Sequence, residues 1–230
     1  MIMEKKAYEL IENFEDWFCW NRARKNIITD TIINNIDDFK IKKLLDIGCC
    51  SGDFLSSISK YIPNCMEIEG YKYNHKKYDN IKICNIFDNG LEEHSFDIIT
   101  ALDVMEHIES ENSFLNEIKR LSNGKCILLT VLSYQFLFTY HDEINNHYRR
   151  YNKNRLRKVL LENSFEVIKI SYCNFFLFTP FFIVRRMIDK IFNLKRIQKE
   201  KRVFLMNFYL KYLILRNTYL EKLIYLLDLV

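Results

Sequence analysis

Residues 44–54 read LLDIGCCSGDF. A short apolar run ends at Gly48, Gly52 follows four residues on, and GDFLSSISKYI (52–62) then takes up helical spacing until Pro63–Asn64 stops it. This is a strand, a tight turn and a helix. Glycine at 48 and 52 lets the backbone turn sharply and lets a ligand approach it closely. The helix start at 52–55 offers unpaired N–H groups to an anionic group. Asp46, just before the turn, suits a cationic amine. Glu69 ends the next apolar run, CMEIEG (65–70), where a carboxylate can accept from both hydroxyls of a ribose. A glycine turn alone also serves purely structural strand–helix connections. The two flanking acids and the pattern downstream point to a ligand.

Working outward, residues 4–36 read as helical. NIKICNI (80–86) and FDIITAL (96–102) are third and fourth strands, and a helix over 111–122 is closed by Asn123–Gly124. KCILLTVLS (125–133) is the fifth strand, 153–163 is helical, and FEVIKISYCNF (165–175) is the sixth strand. Strands alternating with helices predict an α/β fold, a doubly wound and mostly parallel sheet covered on both faces. Residues 181–230 read as a helical, aromatic extension interrupted by the basic run KRIQKEKR (195–202), with no strand candidate after 221.

The bulk numbers are those of a globular chain. Its 230 residues are 49% hydrophobic and 28% charged, enough for one full core. A net charge of +4 is too mild for a nucleic-acid-binding stripe. Seven scattered cysteines without C-x-x-C spacing signal neither zinc nor a redox dithiol and fit a reducing cytosol. The acidic, amphipathic N-terminus is not a secretory signal, and no uncharged apolar run reaches spanning length. The expected location is cytoplasmic, or peripheral at the inner membrane face.

DIGCCSG (46–52) resembles the D-I-G-C-G-T-G signature of class I S-adenosylmethionine-dependent methyltransferases, and HSFDIITALDVMEHI (94–108) resembles their fourth-strand segment. The resemblance implies a Rossmann-like fold and S-adenosylmethionine as cofactor. Its methionyl end would lie near Asp46 and Gly48, its ribose on Glu69, and its adenine near Asn85 and Ile86; Gly52 and Ala101 complete the wall. Cys50 stands where the family usually has its middle glycine, and packs more tightly there. Asn85 replaces the usual aspartate, but its carbonyl can still accept from the adenine amine. WFCWNRARKNI (17–27) and YHDEINNHYRRYNKNRLRKVLLENSFEV (140–167) resemble a subgroup associated with polysaccharide or small-metabolite modification, with Arg22 as its matching basic residue. The cofactor-binding domain is expected over 1–174 and a packed helical extension over 175–230.

In open parallel sheets ligands lie beyond the carboxyl ends of the strands. TYHDEINNHYRRY (139–151) leaves the fifth strand there. Methyl transfer to oxygen needs an aligned acceptor and removal of a hydroxyl proton. Histidine is the side chain best tuned for that near neutral pH. His141, with Asp142 as orienter, is the first candidate base, His147 the second and His107 the third. Arg149 and Arg150 could clamp an anionic group beside Tyr148. Equally, Asp142 and Glu143 could pair with these arginines and only brace the loop. Asp103 could face either cofactor or acceptor.

FFLFTPFFIV (175–184), followed by Arg185 and Arg186, is either a pocket cover or an interfacial helix suited to a lipid-linked substrate. The expected acceptor is a small molecule or a glycan hydroxyl, with weak peripheral membrane contact and homo-oligomers both open. No metal and no nucleic acid are expected. The competing class is a cofactor-fold protein without turnover, serving as an interaction or membrane-associated subunit.

Overall fold

The computed structural model describes residues 19–36, 42–48, 52–70, 81–138, 142–143, 145–173 and 222–229. Helix α1 spans Cys19–Asn35, strand β1 Lys43–Ile47, helix α2 Asp53–Ile58, and strands β2 Asn64–Glu69, β3 Ile81–Ile83 and β4 Phe96–Leu102. Helix α3 (Glu111–Leu121) runs into β5 (Ser122–Leu132); helix α4 (Lys153–Glu162) precedes β6 (Phe165–Cys173), and β7 is Lys222–Leu229. The strands form one sheet in the order β3-β2-β1-β4-β5-β7-β6. β1 pairs in parallel with both β2 and β4, while β7 lies antiparallel between β5 and β6.

Strand alternation sorts the core into two layers. Leu44, Cys65, Ile98, Cys126 and Leu128 share a layer with Ile28 and Ile32 of α1 and Phe54, Leu55 and Ile58 of α2. Leu45, Ile47, Ile68, Ile99, Ile127 and Leu129 share the other with Phe114, Leu115, Ile118 and Leu121 of α3 and Leu156 and Leu160 of α4. Each fully buried Leu or Ile contributes roughly 1.5–3 kcal/mol over an exposed one. Local chemistry places the helix starts. The Ser110 side chain accepts from Ser113 N at 3.2 Å ahead of α3, and Asn152 accepts from Arg155 N at 2.8 Å ahead of α4.

Two expectations need correction. The seventh strand is present, and the chain is not helical to its end. KLIYLLDL (222–229) is flanked by β5 and β6, so it reads as a continuous apolar run, which periodicity alone cannot tell from a buried helix. Asn123–Gly124 does not close a helix; both residues lie within β5. The pairing there jumps from Phe96↔Ser122 to Ile98↔Cys126, a bulge beside Gly124 at φ 88°. No helix among the described residues is long and apolar enough to cross a membrane. The aromatic and basic stretches 175–202 lie outside the described residues.

Candidate active site

The sheet supplies the crevice. Chain order reverses between β1 and β4, so the connections leaving these two strands diverge to opposite sides. Gly48 sits there at φ 74°, and its N–H donates to Ile68 O at 2.8 Å. A Cβ on Gly48 would lie 2.7 Å from Val104 Cγ2, so the turn after β1 presses directly on the segment leaving β4. Gly52, also at φ 74°, takes the left-handed conformation that starts α2.

Asp46 is fully buried, and its Oδ1 accepts from Thr100 Oγ1 at 2.5 Å. It stands in register between Glu67 on β2 and Thr100 on β4, both fully buried, so a polar row crosses the core just below the crevice. Glu69 ends β2 with 4% exposure. Its carbonyl accepts from Cys84 N at 3.0 Å, which aligns the ends of β2 and β3. The next residue, Asn85, is exposed and caps a short turn through Phe87 N at 3.1 Å, while Ile86 is buried. Ala101, near the end of β4, buries its methyl in the α3–α4 layer. The Arg22 backbone lies in α1; its side chain, Cys50 and His141 lie outside what the structure describes.

Beyond β5, Asp142 organises the loop that follows the strand. It is fully buried, and its Oδ1 accepts from Arg150 Nε at 2.8 Å and contacts His147 Nδ1 at 3.0 Å. Arg150 also donates to Ser133 O at 3.1 Å, tying the loop to the end of β5. An ionised carboxylate only accepts, so His147 Nδ1 is the donor in this contact and Nε2 is the ring nitrogen left facing away from Asp142. The His107 ring meets His147 edge-on, with centroids 4.5 Å apart. Burial, then repulsion from His147, pushes the His107 pKa down to about 3, so this ring stays neutral. Arg149 donates to the carbonyls of Ile108 and Glu109 at 2.7 and 2.6 Å. Tyr148 N donates to Glu106 O at 2.8 Å, and its ring lies beneath the Arg149 guanidinium. Asp103 stands at φ 62°, its Oδ1 accepting from Thr130 Oγ1 at 2.8 Å.

The methyltransferase-domain family matches residues 12–170, more than half of the chain. This chain belongs to that family. Among curated proteins, the methyltransferase is 28% identical over 123 residues to the ubiquinone biosynthesis O-methyltransferase of Rickettsia bellii, covering 48% of this chain and 51% of the relative. It thus spans about half the length of the Rickettsia proteins it matches. It is 27% identical over 180 residues to an uncharacterised protein of Methanocaldococcus jannaschii, covering 75% of this chain and 72% of that one. Haemonchus contortus phosphoethanolamine N-methyltransferase 2, solved with S-adenosyl-L-methionine, aligns at TM-score 0.57 and 15% identity, over 87% of this chain and 52% of its own. The [4+2]-cyclase SpnF aligns at TM-score 0.62 and 12% identity, over 91% and 83%. Likeness at these identities shows the fold alone, and the cyclase illustrates that one fold hosts different chemistries.

In this methyltransferase the sequence-derived residues fall into two groups at the carboxyl ends of the strands. Gly48, Gly52, Glu69, Asn85 and Ile86 line the β1–β2–β3 side. His107, His147, Tyr148, Arg149 and Arg150 gather beyond β4 and β5. Thr100 is the buried polar partner that the sequence motifs do not mark. Its signal was there: a hydroxyl midway along the apolar FDIITAL, placed by register beside Asp46.

Proposed function

We propose that this chain binds S-adenosylmethionine and transfers its methyl group to a hydroxyl of a small molecule or glycan. The observation that carries the oxygen acceptor is the His147–Asp142 pair, held by Arg150 at the end of the fifth strand. The residues present fit the cofactor. Gly48 and Gly52 both stand at φ 74°, so the chain turns sharply out of β1 into α2 at the point where chain order reverses. Gly48 and Gly52 would face the methionyl end, Glu69 would accept from the ribose hydroxyls, and Asn85 and Ile86 would flank the adenine. Asn85 Oδ1 already caps Phe87 N, and its second lone pair remains for an amine.

When bound, the cofactor supplies an electrophilic methyl group. The chain's own task is to align the hydroxyl and take its proton. His147 Nε2 is the acceptor of that proton, and the Asp142 carboxylate stabilises the imidazolium as it forms. His107, kept neutral, adds no competing positive charge beside it. Arg150 acts as a positioning residue for Asp142. Arg149 is spent on main-chain carbonyls, which favours a bracing role for it over an anion clamp. β7, which the sequence did not reveal after 221, completes the sheet between β5 and β6.

The test is methyl transfer to a panel of hydroxyl acceptors by the wild type and His147→Asn. Turnover in the variant should fall roughly 100-fold, with S-adenosylhomocysteine affinity unchanged. Near-normal turnover in a folded His147→Asn protein overturns the assignment.

A further inference from the structure

We propose that Asn85 reads the cofactor's adenine through two adjacent bonds, its carboxamide nitrogen donating to a ring nitrogen and its oxygen accepting from the exocyclic amine. This rests on the reading above that the ribose lies on Glu69 and the base beside Asn85.

Strand register brings the two residues together. β2 and β3 pair in parallel with Glu69 opposite Ile83, and neighbouring strands lie about 4.8 Å apart. Cys84 N donates to Glu69 O at 3.0 Å, so the chain leaves β3 level with the end of β2. Asn85 is the next residue, exposed, with extended backbone at φ −71°, ψ 135°. A base on a ribose held at Glu69 has the residues that follow β3 within reach.

The turn fixes which way the carboxamide faces. Phe87 N is a donor, so the side-chain atom 3.1 Å from it is the carbonyl oxygen. Asp88 N closes the same turn onto Asn85 O at 2.9 Å. With Oδ1 held there, Nδ2 is the amide group directed away from Phe87 N, and it has no partner among the described residues. The side chain thus offers a ligand one lone pair beside one amide donor. Adenine carries the complement, an amine flanked on either side by a ring nitrogen that accepts, and carboxamides recognise it by such a pair of bonds. A carboxylate at this position could hold the amine and cap the turn, but it would set a second acceptor against the ring nitrogen. Asparagine therefore adds a contact that aspartate cannot make.

The test is calorimetric binding of S-adenosylhomocysteine and its 1-deaza and 7-deaza analogues to the full chain, as wild type, Asn85→Asp and Asn85→Ser. Each analogue replaces one ring nitrogen beside the amine by C–H. The wild type should bind one of the two roughly fivefold more weakly than the parent. Asn85→Asp and Asn85→Ser should bind that analogue and the parent alike. Both substitutes can still cap the turn, so the melting temperature should not change. Equal affinity of the wild type for all three ligands, or a loss that persists in both variants, overturns the proposal. If Glu69→Ala nonetheless weakens S-adenosylhomocysteine, the cofactor reading stands through that failure. If Glu69→Ala changes nothing, the placement of the ribose has failed and the proposal falls with it.

Discussion

Replacing Gly48 with alanine probes the crevice at its tightest point. Two separate costs are legible. The residue sits at φ 74°, where an L side chain costs roughly 1–2 kcal/mol. The new Cβ would also meet Val104 Cγ2 at 2.7 Å, an overlap that forces a side-chain or backbone shift worth about 1–3 kcal/mol. The sum, roughly 2–5 kcal/mol, is a large share of the ~5–15 kcal/mol that holds a domain folded. Urea unfolding of Gly48→Ala should show that loss. Adding Val104→Ala should recover the steric part of it and leave the backbone part. The double-mutant cycle therefore yields a favourable coupling of about 1 kcal/mol or more. Purely additive losses, or an unfolding midpoint unchanged in Gly48→Ala, would refute the close approach of the two turns.

Asp142→Ala strips the partner from a buried guanidinium and should cost about 3–5 kcal/mol of stability, read by urea unfolding; a loss within 1 kcal/mol would show that the loop is not built on this pair. His107 titrates at about 3 in the fold against an ordinary 6.5, so the folded state binds its proton less readily than the unfolded chain. Its contribution is complete above pH 6.5 and is lost as pH falls from 6.5 toward 3. Between pH 7 and pH 5 the wild type should lose about 2 kcal/mol that His107→Asn does not lose, and parallel stability curves for the two would contradict the burial of this ring.

The sequence revealed elements whose pattern is local. LLDIGCCSG announces a strand and turn because the glycines stand where positive φ is needed, and FDIITAL coincides with β4 to the residue. What escaped is set by distant partners. KLIYLLDL is a strand because β5 and β6 flank it, and nothing in the eight residues says so. From the sequence, Asp142 is an orienter for its neighbour His141 or an arginine partner. The structure gives it Arg150 and, five residues on, His147, a link that depends on how the loop folds back. Likewise the stack of Tyr134 on Tyr172 joins residues 38 positions apart and follows from strand order rather than from either segment.

The central claim is that the crevice between the first and fourth strands binds S-adenosylmethionine, with its ribose on Glu69. Calorimetric titration of S-adenosylhomocysteine into the wild type and Glu69→Ala tests it most directly. The wild type should bind one equivalent per chain. Loss of charge-assisted bonds worth roughly 1.5–3 kcal/mol should weaken the variant by about tenfold or more. Equal affinity in the two proteins would contradict the placement of the ribose, and no binding to the wild type would contradict the claim itself.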